Sequence, residues 1–274
     1  MIPTTLLPEL EAIARRAGEV ILEVYRGDFD ARTKADASPV TEADERAEAV
    51  IVAALRALTP AIPVVAEEEV ARGGCPAVGP QFWLVDPLDG TKEFIAGTEE
   101  FTVNIALIEQ GRVVFGVVAI PTNGRCYYGG QGLGAWCAEA DAAPQTIKVR
   151  LAPPVGVGFT VVASRRHSSP QQEALLAGLS TAVGELELAN IGSSLKFCLL
   201  AEGAADCYPR LAPTSQWDTA AAQGVLEGAG GEVLDLDGQA FAYPPRESLL
   251  NPFFLALPAA APWRGKLLQL ASTM

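Results

Sequence analysis

Histidine is almost missing: among 274 residues only His167 is one. A histidine-rich metal centre and the HExxH zinc signature are therefore excluded. A Ser-His-Asp triad would have to run through His167, with no GxSxG elbow to serve it. Cysteine is sparse and odd in number (Cys75, Cys126, Cys137, Cys198 and Cys207), and no CxxC occurs. The expected state is reduced, apolar filler. No apolar run reaches the roughly 18 residues of a membrane-spanning helix. No basic segment precedes an apolar core at the N-terminus, so no secretory signal is expected. Internal repeats and low-complexity linkers are absent too. Positive charge is scarce: 20 Lys and Arg against 33 Asp and Glu leave a net charge of −13. That excludes a general basic surface for a nucleic acid polymer. A small phosphorylated ligand, which needs only local positive charge or bound cations, stays open. The expectation is a cytoplasmic protein, at most peripheral to the inner membrane.

What the chain has in quantity is apolar mass, 49% hydrophobic against 19% charged. That suffices for a large core in one big domain or two sub-domains sharing a core. The stretch around which the rest is organised is Phe82-Trp83-Leu84-Val85-Asp86-Pro87-Leu88-Asp89-Gly90-Thr91-Lys92-Glu93-Phe94. It opens as a buried strand. Pro87 removes an N–H and should stop a central strand there, and Gly90 permits a tight turn. Two carboxylates three residues apart thus leave a strand end and can aim at one point. Such a pair repels itself unless a cation sits between. For an isolated DxxD, capping of a turn and of a following helix would explain both acids equally well.

Before this stretch, residues 8–26 have helical spacing, with Gly27 at the end. An irregular polar stretch to Pro39 follows. A helix then runs from Thr41 to about Leu58, where Thr41 and Asp44 form a capping box. Asp44 also lies on the apolar face with Ala47, Ile51 and Leu55, so its carboxylate needs a partner. Residues 62–66 read as a strand ending in Glu67-Glu68-Glu69, a run that alone suggests a solvated loop, with Glu69 read as facing solvent. After the central stretch, residues 101–107 and 113–118 predict a hairpin, with a second pair around Gly129–Gly134. That glycine-rich segment lacks GxGxxG, so it is read as a turn and not a nucleotide loop. The first half, 1–145, is two helices and an antiparallel-leaning sheet.

The second half, 146–274, reads as α/β. A strand at 159–163 leads to His167, then to a helix with Ser169 and Pro170 as N-cap and N1. A strand at 186–189 precedes a helix whose N-cap is Ser193. Short strands are predicted at 206–208 and 253–257. A helix spans 217–227, with Asp218 in its first turn. A hairpin turning on Asp237-Gly238 should join 233–236 to 240–243.

The string DPLDGT with KEF, the acids Glu67-Glu68 upstream and Trp217-Asp218 downstream together resemble the magnesium-dependent, lithium-sensitive inositol monophosphatase superfamily. Within it the string is most similar to the 3'(2'),5'-bisphosphate nucleotidases. The resemblance implies the sugar phosphatase fold, a layered α-β-α-β-α sandwich of α+β and α/β character. It implies metal ligation by Glu67, Asp86, the Leu88 carbonyl, Asp89 and Asp218. That all-oxygen set suits two or three Mg²⁺ ions, with Mn²⁺ as substitute. It implies catalysis by Asp44, Thr91 and Glu67, the Asp44–Thr91 pair orienting an attacking water. The substrate would be held at Leu88, Asp89, Gly90, Thr91, His167 and Asp218, and its uncleaved phosphate by Ser193 and Lys196 of GSSLK and Arg210 of YPR. The implied reaction releases the 3'-phosphate of 3'-phosphoadenosine 5'-phosphate, in a monomer or homodimer. Alternatives are an inositol or other sugar-phosphate phosphatase and, from another class, a catalytically silent metal- or phosphate-binding regulator.

Overall fold

The computed structural model describes residues 6–35, 37–74, 76–139, 142–153, 155–163, 169–244 and 248–273. The first apolar stripe folds as helix α1 (Leu7–Tyr25), whose N-cap Leu6 makes no side-chain hydrogen bond. That deficit costs about 1 kcal/mol. Burial of Leu10, Ile13, Ile21 and Val24 returns about 1.5–3 kcal/mol for each, so packing decides this helix and its cap does not. The polar stretch behind it is not wholly irregular. There β1 (Ala31–Thr33) and β2 (Pro39–Thr41) pair as a small antiparallel hairpin, with β1 exposed along its whole length. Thr41 then caps α2 (Glu42–Leu58) through the expected box with Asp44.

Next, β3 (Val64–Ala66) runs into a short helix, α3 (Glu67–Ala71), not a solvated loop. Glu68 is buried, and Glu69 is half-buried against Arg56 at 2.9 Å where a solvent-facing side chain was expected. The central stretch forms β4 (Gln81–Asp89) and α4 (Thr91–Ile95), and β5 (Thr102–Glu109) returns antiparallel beside β4. The expectation that Pro87 ends the strand is not met. Asp86 opposes Asn104 and Asp89 opposes Thr102, so three steps along β4 match two along β5. Pro87 sits in this bulge, where the ladder asks no N–H of it. The bulge also resets the alternation of faces. Trp83 and Val85 pack among α1 and α2, and so does Leu88, which a regular strand would turn the other way. Asp89 therefore falls on the same face as Asp86.

The sheet continues antiparallel through β6 (Arg112–Ile120), β7 (Arg125–Gly130), β8 (Gly134–Ala138) and β9 (Gln145–Thr146). Its order is β3-β4-β5-β6-β7-β8-β9, with only β3 and β4 parallel. Both predicted hairpins are present.

The second half runs β10 (Phe159–Ala163), α5 (Pro170–Val183), β11 (Leu186–Asn190), α6 (Leu195–Ala201), β12 (Tyr208–Arg210), α7 (Gln216–Gly228), β13 (Gly231–Asp235), β14 (Phe254–Pro258) and α8 (Arg264–Ala271). Ser169 caps α5 by accepting from Gln172 N at 3.2 Å. The strand expected at 206–208 is displaced to β12. Asp206 is taken up by Arg150, at 2.8 and 2.5 Å, and by Thr160 N at 2.7 Å. The Asp237-Gly238 hairpin does not form a ladder either. Only a single bridge joins Leu234 to Ala240, and β13 pairs with β14 instead. Phe241 and Tyr243 turn into the main core, which decides against an edge hairpin.

Helices α1 and α2 cover one face of the seven-stranded sheet, and α6 and α7 the other. Beyond these lie β12-β14-β13 and β10-β11, closed by α5 and α8. The α-β-α-β-α layering is borne out. The contact of α7 with the sheet is close enough that a Cβ at Gly116 would collide with the Ala221 carbonyl. Glycine at that position lets α7 bring its N-terminus, and Asp218, to the acidic end of the sheet.

Candidate active site

Four acids come from three local devices. Glu67 opens α3 where β3 ends, Asp86 and Asp89 flank the β4 bulge, and Asp218 is the third residue of α7. Each fixes one oxygen. Asp86 Oδ1 accepts from Leu88 N at 3.1 Å, Asp89 Oδ2 from Ser194 N at 2.6 Å, and Asp218 Oδ2 from Ser215 N at 2.9 Å. Glu67 Oε1 accepts from Lys34 Nζ at 2.6 Å. Burial pushes all four carboxyls above the usual range, Asp89 to about 6. After burial, Asp86 is raised by Glu67, Asp89 and Asp218 in turn. The four therefore feel one another as a group. Among the described residues, no three such side chains already stand close enough to cage an ion.

Asp44 satisfies both of its sequence readings at once. Its Oδ2 accepts from Thr41 N at 2.8 Å and Thr41 Oγ1 at 2.7 Å, completing the cap. Its Oδ1 accepts from Thr91 Oγ1 at 2.9 Å, across 47 residues of sequence. The Leu88 carbonyl lies 3.2 Å from the same hydroxyl. A hydroxyl has one proton, and the shorter contact gives it to Asp44. The Thr91 oxygen is left to accept a hydrogen bond from water. Burial raises the Asp44 carboxyl, and the Thr41 and Thr91 bonds oppose that rise.

One cavity joins these acids to cationic groups: Asp89 and Asp218 line it together with Ser193, Lys196 and Arg210. Ser193 has φ +46°, an uncommon left-handed conformation for a residue with a side chain. The N-cap of α6 is Ser194, not Ser193. Lys196 is buried, with Nζ 2.7 Å from the Ser193 carbonyl and 5.5 Å from the Tyr208 ring centroid. Burial lowers its pKa to about 8, with Asp89 opposing. Arg210 donates to the carbonyls of Ala212 and Pro213 at 3.3 and 3.2 Å. His167 lies outside the described residues.

Sequence reasoning missed three supports. Glu48 is buried and accepts from Glu68 N and Glu69 N at 2.7 and 3.2 Å, anchoring α3 from 20 residues away. Ser194 holds Asp89 by its N–H, while its hydroxyl lies 2.8 Å from both Thr102 and Asn104. The third is Lys34. A buried-face Glu48 at helical spacing was available as a signal; nothing local marked the other two.

The profile of the inositol monophosphatase family matches residues 3–268. The chain belongs to the inositol monophosphatase family. Members of this family are metal-dependent phosphatases. The 3'(2'),5'-bisphosphate nucleotidase CysQ of Salmonella typhimurium is 48% identical over 252 residues, 91% of this chain and 98% of that protein. Its namesake from Escherichia coli K12 is 46% identical over the same coverage. The crystal structure of CysQ from Bacteroides thetaiotaomicron superposes with a TM-score of 0.73 at 38% identity, covering 90% of this chain and 94% of that one. The suhB protein of Bartonella henselae, at 24% identity and TM-score 0.76 over 98% of both chains, shares the fold.

The acid cluster fits what the family needs in a metal site, since its donors are all oxygen and a bound divalent cation would relieve their repulsion. The cysteines Cys126, Cys137, Cys198 and Cys207 are free, and Cys75 lies outside the described residues. Among the described residues no helix is long and apolar enough to cross a membrane.

Proposed function

We propose that this member of the family is a Mg²⁺-dependent phosphatase that cleaves the 3'-phosphate of 3'-phosphoadenosine 5'-phosphate, giving AMP and phosphate. The observation that carries the reading is the cavity itself, with a carboxylate wall for one phosphate and Ser193, Lys196 and Arg210 for another. A monophosphate would leave that second group of cations unanswered. The bisphosphate nucleotidase relatives at 46–48% identity support the same choice.

Glu67, Asp86, the Leu88 carbonyl, Asp89 and Asp218 would hold two or three Mg²⁺ ions, or Mn²⁺ in their place. Bound ions supply charge neutralisation, polarise the phosphoryl group and lower the pKa of water. The chain does the positioning. Thr91 Oγ1 accepts a hydrogen bond from the attacking water, and as that water gives its proton to Thr91 Oγ1 the Thr91 proton passes to Asp44 Oδ1, the general base. Amides at Asp89, Gly90 and Thr91 cradle the reacting phosphate. His167 contacts the nucleotide. Water is the nucleophile, so no phosphoenzyme forms. Residues 1–145 carry most of the metal ligands and 146–274 the substrate grip, with Asp218 crossing between them. The enzyme works in the cytoplasm as a monomer or homodimer, is lithium-sensitive and serves sulfur assimilation.

The test is phosphate release with Mg²⁺ from 3'-phosphoadenosine 5'-phosphate and from inositol 1-phosphate, for the wild type and Arg210→Ala. The wild type should prefer the nucleotide, and Arg210→Ala should lose chiefly that activity. Equal loss on both substrates would overturn the second-phosphate role.

A further inference from the structure

We infer that Lys34 is an exchangeable internal counter-ion of the acidic cluster, seated on Glu67 and Glu68 and displaced when a divalent ion loads at Glu67. The inference rests on the reading of Glu67 as a metal ligand. Lys34 Nζ lies 2.6 Å from Glu67 Oε1 and 2.5 Å from Glu68 Oε1, and its side chain is only 8% exposed. It is a deliberate placement of one cation where carboxylates gather, and an ammonium group satisfies two of them by hydrogen bonds. A magnesium ion binds carboxylate oxygen at roughly 2.0–2.1 Å and tolerates little distortion. Sharing Oε1 with the ammonium would set two like charges side by side. On the other oxygen of the same carboxylate the metal ion would still face a like charge at short range. Occupancy of Glu67 is therefore a competition between Lys34 and a metal ion.

The backbone around Lys34 is built for departure. Lys34 sits at the turn between β1 and β2, where its N–H donates to the Ser38 carbonyl at 2.8 Å and Ala37 N donates to its own carbonyl at 3.0 Å. Ala37 has φ +67°, a conformation that costs a non-glycine residue energy. Since β1 is exposed, it has few buried contacts to lose when the ammonium leaves, while β2 stays anchored by buried Val40 and Thr41. The other strand, β2, ends at Thr41 and so runs into the Asp44 cap. Lys34 is thus a positioning residue. It keeps Glu67 and Glu68 in place before metal arrives and sets the metal concentration at which the ion at Glu67 enters.

Calorimetric titration of Mg²⁺ into chelator-stripped protein tests this without turnover. Lys34→Gln should bind the ion at Glu67 roughly tenfold more tightly than wild type, Lys34→Arg should match wild type, and Glu67→Gln should lose that ion. In wild-type protein, Mg²⁺ should speed amide exchange across residues 31–39 while slowing it at 67–69. Unchanged or weaker Mg²⁺ affinity in Lys34→Gln overturns the exchange. Retention of the ion by Glu67→Gln overturns the ligand reading beneath it, so the two failures are distinguishable. Should Lys34→Gln not fold, wild-type exchange decides alone, and protection of 31–39 that stays or rises with Mg²⁺ sinks the proposal.

Discussion

Asp44 divides its two oxygens between folding and chemistry: one closes the α2 cap and the other orients Thr91. The two functions separate on mutation. Thr91→Ala leaves the cap intact, so its melting temperature should move by the equivalent of about 1 kcal/mol. Its kcat should fall by on the order of 10²-fold with little change in KM. Phosphate-release kinetics beside thermal melts would check this, and near-normal turnover would remove Thr91 from the reaction. Lys196 gives a pH signature. Burial holds its pKa down at about 8, so the ammonium is charged below that pH and lost as pH rises through it. The kcat/KM for the bisphosphate should therefore drop above about pH 8, more steeply than for a monophosphate. Lys196→Met should flatten the profile at its lower limb's expense, which pH–rate curves would reveal.

At the scale of elements, the site depends on how closely α7 lies on the sheet. Gly116→Ala places a methyl group against the Ala221 carbonyl. Backbone cannot yield as a flexible side chain does, and a loss of about 1–3 kcal/mol is expected. Because Asp218 rides on α7, Mg²⁺ affinity should fall with stability; calorimetry and melting on the same preparation would test the link. This scale also shows where sequence was readable. Helices α1, α2, α5 and α7 announced themselves by apolar spacing or by caps at Thr41 and Ser169. The acids by themselves read as turn caps and a solvated loop, and only the resemblance carried by DPLDGT, Glu67-Glu68 and Trp217-Asp218 singled them out as a set. The bulge was not legible, since a proline inside a strand reads as a stop until the partner strand supplies Asn104 and Thr102. Nor was the β13–β14 pairing, which Phe241 and Tyr243 decide by entering the core. Lys34 and Ser194 act through contacts distant in sequence, which no local pattern encodes.

Across the whole molecule, a small part of the acidic excess is buried where it costs stability. The Glu68 carboxyl is raised to about 7 and Asp89 to about 6. A carboxyl whose folded pKa is raised binds its proton more tightly folded than unfolded, so its contribution is present at low pH and lost as pH rises through the folded value. The melting temperature of chelator-treated protein should fall between about pH 5 and pH 7, and saturating Mg²⁺ should flatten that fall. A melt that rises over this range would contradict the clustered-acid picture. The main core has a further consequence. Phe82, Ile108 and Tyr127 share one cluster with Phe197, Ala221 and Phe254, so a cut between the halves opens that shared core on both sides, although each half keeps a cluster of its own. Cut near residue 150, the protein should yield two fragments that are inert apart and regain phosphate release only on recombining, which makes it a candidate split reporter whose signal is the mending of a shared interior.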